Sequence, residues 1–470
     1  MSVPIGSKVS RWTMLHFGCA MGALLAAEAL LAAGYADPLA ALRAPATLVG
    51  VHLITIGWLS LLMLGALYQF VPVITNTTLY SQRLPLYSIL AIVPGLAAML
   101  AGFVALGGNS FLHTVCLPIG GTLVLAGFVL GAINLAVTLW RARPLPLPAD
   151  FVASSLAFLL LTGLVGVGFA LAFALPRSPT FLRALVGRGL SLHVALGLGG
   201  WFTLTVMGVS YRLLSMFMLA PDEPRRTTRA ALILTVGGLA LLVTGALVGL
   251  WSDLAPGWVE ALGAALAGVG VVCYLADIVE FYRARKRRQL ELNSITAAVA
   301  LTLVALALAF AAFALASGTL GRFAGAIGYL FLFGGLTGLG LSQLYKIIPF
   351  LTWLEVFGKR LGRGPVPRVQ DLVNERRARP GFALYFAATV LASAALAGSQ
   401  ALAWKIGAAL QLVATVLIAV ELWRARHPDP NTRPSLARPP GMPLPPGKPK
   451  APAAQAPTRT ALPSSLTQGK

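Results

Sequence analysis

Four histidines set in apolar sequence are the side chains here best suited to chemistry. His52, His193 and His113 each stand near the start of a long apolar run, and His16 lies inside the first run. A neutral imidazole offers one lone pair to a metal or a haem iron while its second nitrogen is held by a nearby acceptor, so all four are candidate ligands. The plainer reading is a histidine at a helix end that touches headgroups or a backbone carbonyl. His113 and Cys116 stand at i, i+3, a spacing that on a helix puts imidazole and thiol on one face and suits copper. Glu28 is the one acidic residue well inside the first run, where an ionisable group is costly. It reads either as a hydrated carboxylate hydrogen-bonded within a bundle or as a proton- or cation-binding group. Asp277, Glu280 and Glu421 sit beside arginine clusters and read as their ion partners.

The elements that carry these residues must live in lipid. Of 470 residues, 57% are hydrophobic and 11% charged, with a mean hydropathy of +0.80, which is more apolar side chain than a water-soluble core can hold. Twelve apolar runs are long enough to cross a hydrocarbon layer of about 30 Å at about 1.5 Å per residue. They fall near 12–34, 46–73, 85–107, 111–139, 151–175, 190–219, 230–251, 257–281, 293–316, 323–353, 381–398 and 402–423. The first is longer than the apolar core of a signal peptide, about 7–15 residues, and reads as a retained span.

Charge sets the expected orientation. Most of the Lys and Arg, including Arg283 to Arg288 and Lys359 to Arg379, fall on the side that holds both termini, so N and C termini are expected in the cytoplasm. The net charge of +21 then reports topology and attraction to anionic lipid, not nucleic-acid binding. The lipid bilayer is the partner this composition demands, and a bacterial inner membrane the expected location. Cys19, Cys116 and Cys273 lie in spans without pairing spacing, which excludes a disulfide framework and a CxxC motif. Beyond the membrane domain, 1–426, the segment 427–470 is Pro-rich, basic and too poor in apolar residues to fold alone; it is expected to be a disordered tail.

Two independent markers recur at a period of about 140 residues. One is Trp140-Arg141-Ala142-Arg143, Tyr282-Arg283-Ala284-Arg285 and Trp423-Arg424-Ala425-Arg426, each an aromatic and paired arginines closing every fourth run. The other combines a small residue, Tyr, and Pro or Ser: Gly65, Tyr68 and Pro72; Gly208, Tyr211 and Ser215; Ser342, Tyr345 and Pro349. Trp58 and Trp201 stand ten residues before Tyr68 and Tyr211. The expected fold is therefore an all-α membrane domain of twelve helices in a pseudo-threefold array of four-helix units, approximately 11–145, 150–288 and 292–426. The Tyr elements read either as interfacial tyrosines with a helix-ending proline, or as packing or conduction elements at three equivalent helix ends.

Aligned on these tyrosines, His52 lies sixteen residues before its Tyr and His193 eighteen, which turns them about 200° apart in the repeat frame. The two are accordingly expected to face different compartments. Ile327 and Tyr329 fill the matching slots of the third copy. His193, Gly197, Gly200 and Tyr211 share one face, where glycine would admit a flat macrocycle or a neighbouring backbone.

The twelve helices, the threefold pattern and the histidines of the second and sixth helices resemble subunit I of the haem–copper oxidases. The segments HLITIGWLSLLMLGALYQFVPVI, HVALGLGGWFTLTVMGVSYRLLSMFML and LYKIIPFLTWL are similar to oxidase-like membrane proteins neighbouring the NnrS type. That resemblance implies a low-spin haem ligand at His52 and a copper ligand at His193, with b-type haem or copper as cofactor. The chain departs from the oxidase pattern elsewhere. Ala230 to Trp251 and Phe323 to Trp353 contain no histidine, so the remaining copper and haem ligands are missing and reduction of oxygen or nitric oxide is not expected. The expectation is a non-catalytic or accessory protein in respiration, nitric-oxide stress or oxidase biogenesis, with other respiratory-complex subunits as partners. A transporter or channel, and a cofactor-free structural partner of a respiratory complex, stay open as alternatives.

Overall fold

The computed structural model describes residues 8–36, 38, 41–109, 112–175, 177–221, 225–251, 257–360 and 366–428. The segment expected to be a tail lies outside the described residues from position 429 onward. Every regular element described is helical, and twelve helices are long and apolar enough to cross a membrane. They are α1 Ser10–Ala32, α2 Pro45–Thr75, α3 Leu84–Leu106, α4 Cys116–Arg141, α5 Leu147–Ala174, α6 Leu190–Met218, α7 Arg226–Trp251, α8 Gly257–Arg283, α9 Leu292–Ala316, α10 Leu320–Val356, α11 Glu375–Ala397 and α12 Ala401–Arg426. The chain is a multi-pass membrane protein by this measure, and large apolar side chains such as Ile233 and Leu402 stand exposed on its outside. The end where α4, α8 and α12 close in arginine is called the basic end below, and the other the far end.

Several helices start where their sequence makes the first turn inexpensive. Pro45, Pro85 and Pro148 sit in the first turns of α2, α3 and α5, where a missing N–H leaves no bond unmade. Three hairpins, α3–α4, α7–α8 and α11–α12, are the tightest pairs. Glycine makes the approach: a Cβ on Gly120 would lie 2.3 Å from the Met99 nitrogen, and one on Gly238 would lie 2.4 Å from that of Ala267. In lipid such close backbone packing, not hydrophobic exclusion, holds helices together. The first helix also packs along the last, so α1 and α12 close the array.

Inside the hairpins stand α2, α6 and α10, and each contains a π-helical stretch, at Leu53–Ser60, Ala195–Thr203 and Leu330–Thr337. The wide π turn leaves carbonyls displaced, and hydroxyls five residues on take two of them: Ser60 Oγ donates to the Thr55 carbonyl at 2.8 Å and Thr203 Oγ1 to that of Leu198 at 2.7 Å. In α10 the Tyr385 phenol of α11 reaches the Phe333 carbonyl at 2.8 Å instead. The same hydroxyl level joins the inner helices. Trp58 Nε1 of α2 donates to Thr337 Oγ1 of α10 at 3.0 Å, and Trp201 Nε1 of α6 donates to Ser60 Oγ at 3.1 Å. Both indoles are fully buried. At the matching level α10 has Gly335, which carries no donor side chain. Where the three helices meet, a cavity of about 70 Å³ is lined mainly by apolar groups, Leu62, Met63 and Leu339 among them, with Thr205, Ser210 and Gln343 as its polar members.

The indole–hydroxyl bond is testable by a double-mutant cycle. Ser60→Ala and Trp201→Phe are each expected to lower thermal stability in detergent. Their coupling energy should be about 0.6–1.7 kcal/mol, the range of hydrogen bonds between membrane helices, as measured by denaturant unfolding of the four proteins.

Candidate histidine site

His52 and His193 meet near the far end of the bundle, with ring centroids 6.4 Å apart and planes tilted by 31°. This corrects the expectation that they face different compartments. Neighbouring helices touch through different faces, as Ser60 and Trp58 of α2 do in receiving α6 and reaching α10. Ligands turned apart in the repeat frame are therefore the ones that meet. The π-helical stretches change this little, because nearly equal lengths of π turn lie between histidine and tyrosine in both helices.

Each ring has a defined seat. His52 Nδ1 lies 2.8 Å from the Leu48 carbonyl one turn earlier, which leaves Nε2 free of the backbone. Phe103 of α3 lies over the same ring at 4.9 Å. His193 is set against α5: Phe169 meets it edge-on at 5.6 Å, and a Cβ on Gly166 would lie 3.3 Å from its Cε1. Its Nδ1 is buried without a well-formed hydrogen bond, the Thr162 backbone being the polar group beside it. Phe103, Phe169 and Gly166 gave no sign in the sequence, since an aromatic or a glycine in an apolar run is unremarkable until its neighbour is known.

The glycines below His193 do not open a slot for a macrocycle. A Cβ on Gly197 would meet Thr162 at 3.4 Å, and one on Gly200 would meet the Phe158 ring and its Cβ at 2.3–2.5 Å. The face shared by His193, Gly197, Gly200 and Tyr211 is the seat of α5, with the Tyr211 ring tilted by 44° against Phe151 at 5.4 Å.

The pairing of His113 with Cys116 fails. α4 begins at Cys116, and His113 lies exposed in the preceding turn, joined to Cys116 only by the backbone bond from its carbonyl at 3.0 Å. The i, i+3 spacing places two ligands on one face only when both are helical. Among the described residues no group of three or more His, Cys, Asp or Glu side chains is placed to hold a metal ion. His16 is fully buried in the other half of the bundle, bonded through Nδ1 to the Trp12 carbonyl at 2.8 Å, with Tyr68 edge-on at 5.4 Å.

Tyr68, Tyr211 and Tyr345 are buried, not interfacial. Pro72 lies in the last turn of α2, but Pro349 sits within α10, which continues to Val356. Each proline stands four residues after its Tyr and so removes the N–H that would bond the Tyr carbonyl. In the second copy Ser215 Oγ bonds the Tyr211 carbonyl at 2.9 Å. Tyr211 also donates to Asp277 Oδ2 at 2.9 Å, where Thr228 donates at 2.8 Å and Thr227 bonds the other oxygen. Asp277 is thus a hydroxyl-solvated carboxylate of the interior, not an arginine partner. Glu280 and Glu421 do pair with arginine, Arg283 at 2.9 Å and Arg377 at 3.2 Å. Glu28 is buried and bonded to Gln411 and Thr415 of α12.

No protein-family model and no curated protein matches this chain.

The contact behind the histidines is open to a direct check. Gly200→Ala is expected to lower stability by about 1–3 kcal/mol through overpacking against Phe158. Gly200→Ala combined with Phe158→Leu should recover part of that loss, as read by thermal unfolding in detergent.

Proposed function

We propose that this chain is an accessory, non-catalytic oxidase-like membrane protein that binds a redox cofactor, copper or b-type haem, between His52 and His193. It would act in respiration, nitric-oxide stress or oxidase biogenesis beside other respiratory subunits. The observation that carries the reading is the apposition of the two imidazoles. With ring centroids 6.4 Å apart, His52 and His193 are the two side chains that would hold the metal, each supplying an imidazole nitrogen. The donor set fits copper more closely than haem, because two imidazoles suit a copper ion while Thr162 and Phe158 occupy the space a macrocycle would need below His193.

Bound there, copper supplies one-electron transfer. The protein's own residues do the rest. The Leu48 carbonyl fixes the His52 tautomer and turns Nε2 toward use as a ligand. Phe103 and Phe169 cover the two rings and keep water from them. Gly166 leaves room for His193 to lie against α5.

The reading includes a threefold array of four-helix units with both termini in the cytoplasm of a bacterial inner membrane. It is supported by the three π-helical stretches, by the two indole–hydroxyl bonds at one level, and by the arginines that gather at one end of the bundle.

The test is metal content and a reduced-minus-oxidised spectrum of protein purified in mild detergent from cells replete in copper and haem. One equivalent of copper, or a Soret band, is expected in the parent protein. It should be lost in His52→Ala and in His193→Ala and kept in His113→Ala. Absence of both copper and haem from the parent protein would overturn the reading.

A further inference from the structure

A second polar centre lies where α1 and α12 meet α10 and α11. Glu28 of α1 is 1% exposed. Its Oε1 accepts from Gln411 Nε2 and from Thr415 Oγ1, each at 3.0 Å. Its Oε2 is buried and has no partner. Gln411 is held in turn, its Oε1 accepting from the Tyr329 phenol at 2.6 Å and from Thr389 Oγ1 at 3.2 Å. The Tyr329 ring is itself fixed between Phe333 at 4.3 Å and Trp404 at 5.0 Å, and the Trp404 indole nitrogen is another buried group without a partner.

Among the described residues no cation is paired with this carboxyl. Among the described residues, the titratable groups that face it are Tyr329 of α10 and Tyr385 of α11, both neutral phenols. On α12, Lys405 lies at the far end with its chain against Gly34. On α1 itself, Arg11 and His16 lie toward the basic end. An ionised carboxylate with one oxygen unpaired in a hydrocarbon interior costs several kcal/mol or more, whereas a protonated acid needs only to seat one O–H. The donors also arrive on one side only, since both bonds go to Oε1, which leaves Oε2 as the oxygen for a proton.

We propose that Glu28 is a buried proton-binding site, a neutral carboxylic acid with its exchangeable proton on Oε2 and its carbonyl oxygen held by Gln411 and Thr415. Tyr329 is a positioning residue that orients Gln411. It occupies the slot in α10 that His52 occupies in α2, sixteen residues before the inner-end tyrosine. The third unit of the chain, through Tyr329, Gln411 and Thr415, then holds a proton-binding acid of the first unit, whereas the first two units bring their histidines together. This inference does not depend on a cofactor at the histidine pair.

Membranes containing the full chain would be treated with dicyclohexylcarbodiimide, a hydrophobic reagent that takes protonated acids. The acid proton passes to a carbodiimide nitrogen, the carboxyl oxygen bonds the central carbon, and acyl migration to nitrogen leaves a stable N-acylurea. Mass mapping of the α1 peptide is expected to find the adduct on Glu28. The infrared spectrum should show a carboxylic-acid carbonyl band that disappears in Glu28→Gln and moves to higher wavenumber in Gln411→Leu, where the carbonyl oxygen loses its amide donor. The adduct and the Gln411→Leu shift keep the test decisive if Glu28→Gln does not fold. Absence of both adduct and band would show an ionised carboxylate and overturn the proposal. Protection of Glu28 from the reagent by sodium at fixed pH would overturn it in favour of a metal-cation site.

Discussion

Polar atoms within an apolar bundle have to find partners inside the protein, and this requirement organises the whole molecule. The π-helical stretches of α2, α6 and α10 displace backbone carbonyls, and hydroxyls from the next turn or a phenol from α11 return to them. Ser60 then serves twice, since it also accepts the indole of a neighbouring helix. Secondary structure and helix assembly are coupled through one side chain, so the inner helices could not be straightened into regular α-helix without also losing their mutual contact.

The same economy separates two polar regions of different kind. At the histidines, backbone and aromatic neighbours hold the rings while leaving nitrogen available. At Glu28, amide and hydroxyl donors converge on one oxygen and leave the other bare. The first arrangement suits a group that donates a lone pair and the second a group that retains a proton. The carboxyl group of Asp277 shows the contrast, because hydroxyls reach both of its oxygens.

The twelve helices were legible because length and hydropathy alone decide whether a segment can cross a bilayer. The starting points were less so: α4 begins at Cys116, later than the apolar run suggested, and that displacement removed His113 from the helix face. Which faces of α2 and α6 meet was not legible, because aligning them on their tyrosines compares the helices as if superposed, whereas neighbours touch through different faces. Gly57, Gly200 and Gly334 mark the π-helical stretches at one level in all three helices, and the signal was in the sequence as a pattern without a known meaning. The partners of Glu28 were out of reach for another reason. Gln411 and Thr415 lie almost the whole chain away, and only closure of the array brings the last helix against the first.

Gly335 bears on how the inner helices are joined. Two joints among them are pinned by an indole set into a hydroxyl of the next helix, and the joint between α10 and α6 has no such pin. The cavity lies where these helices meet, so the joint without an indole pin among the described residues borders it. Polar cross-links thus hold α2 to both of its inner neighbours, while α6 and α10 face each other across apolar side chains and a small space at the centre.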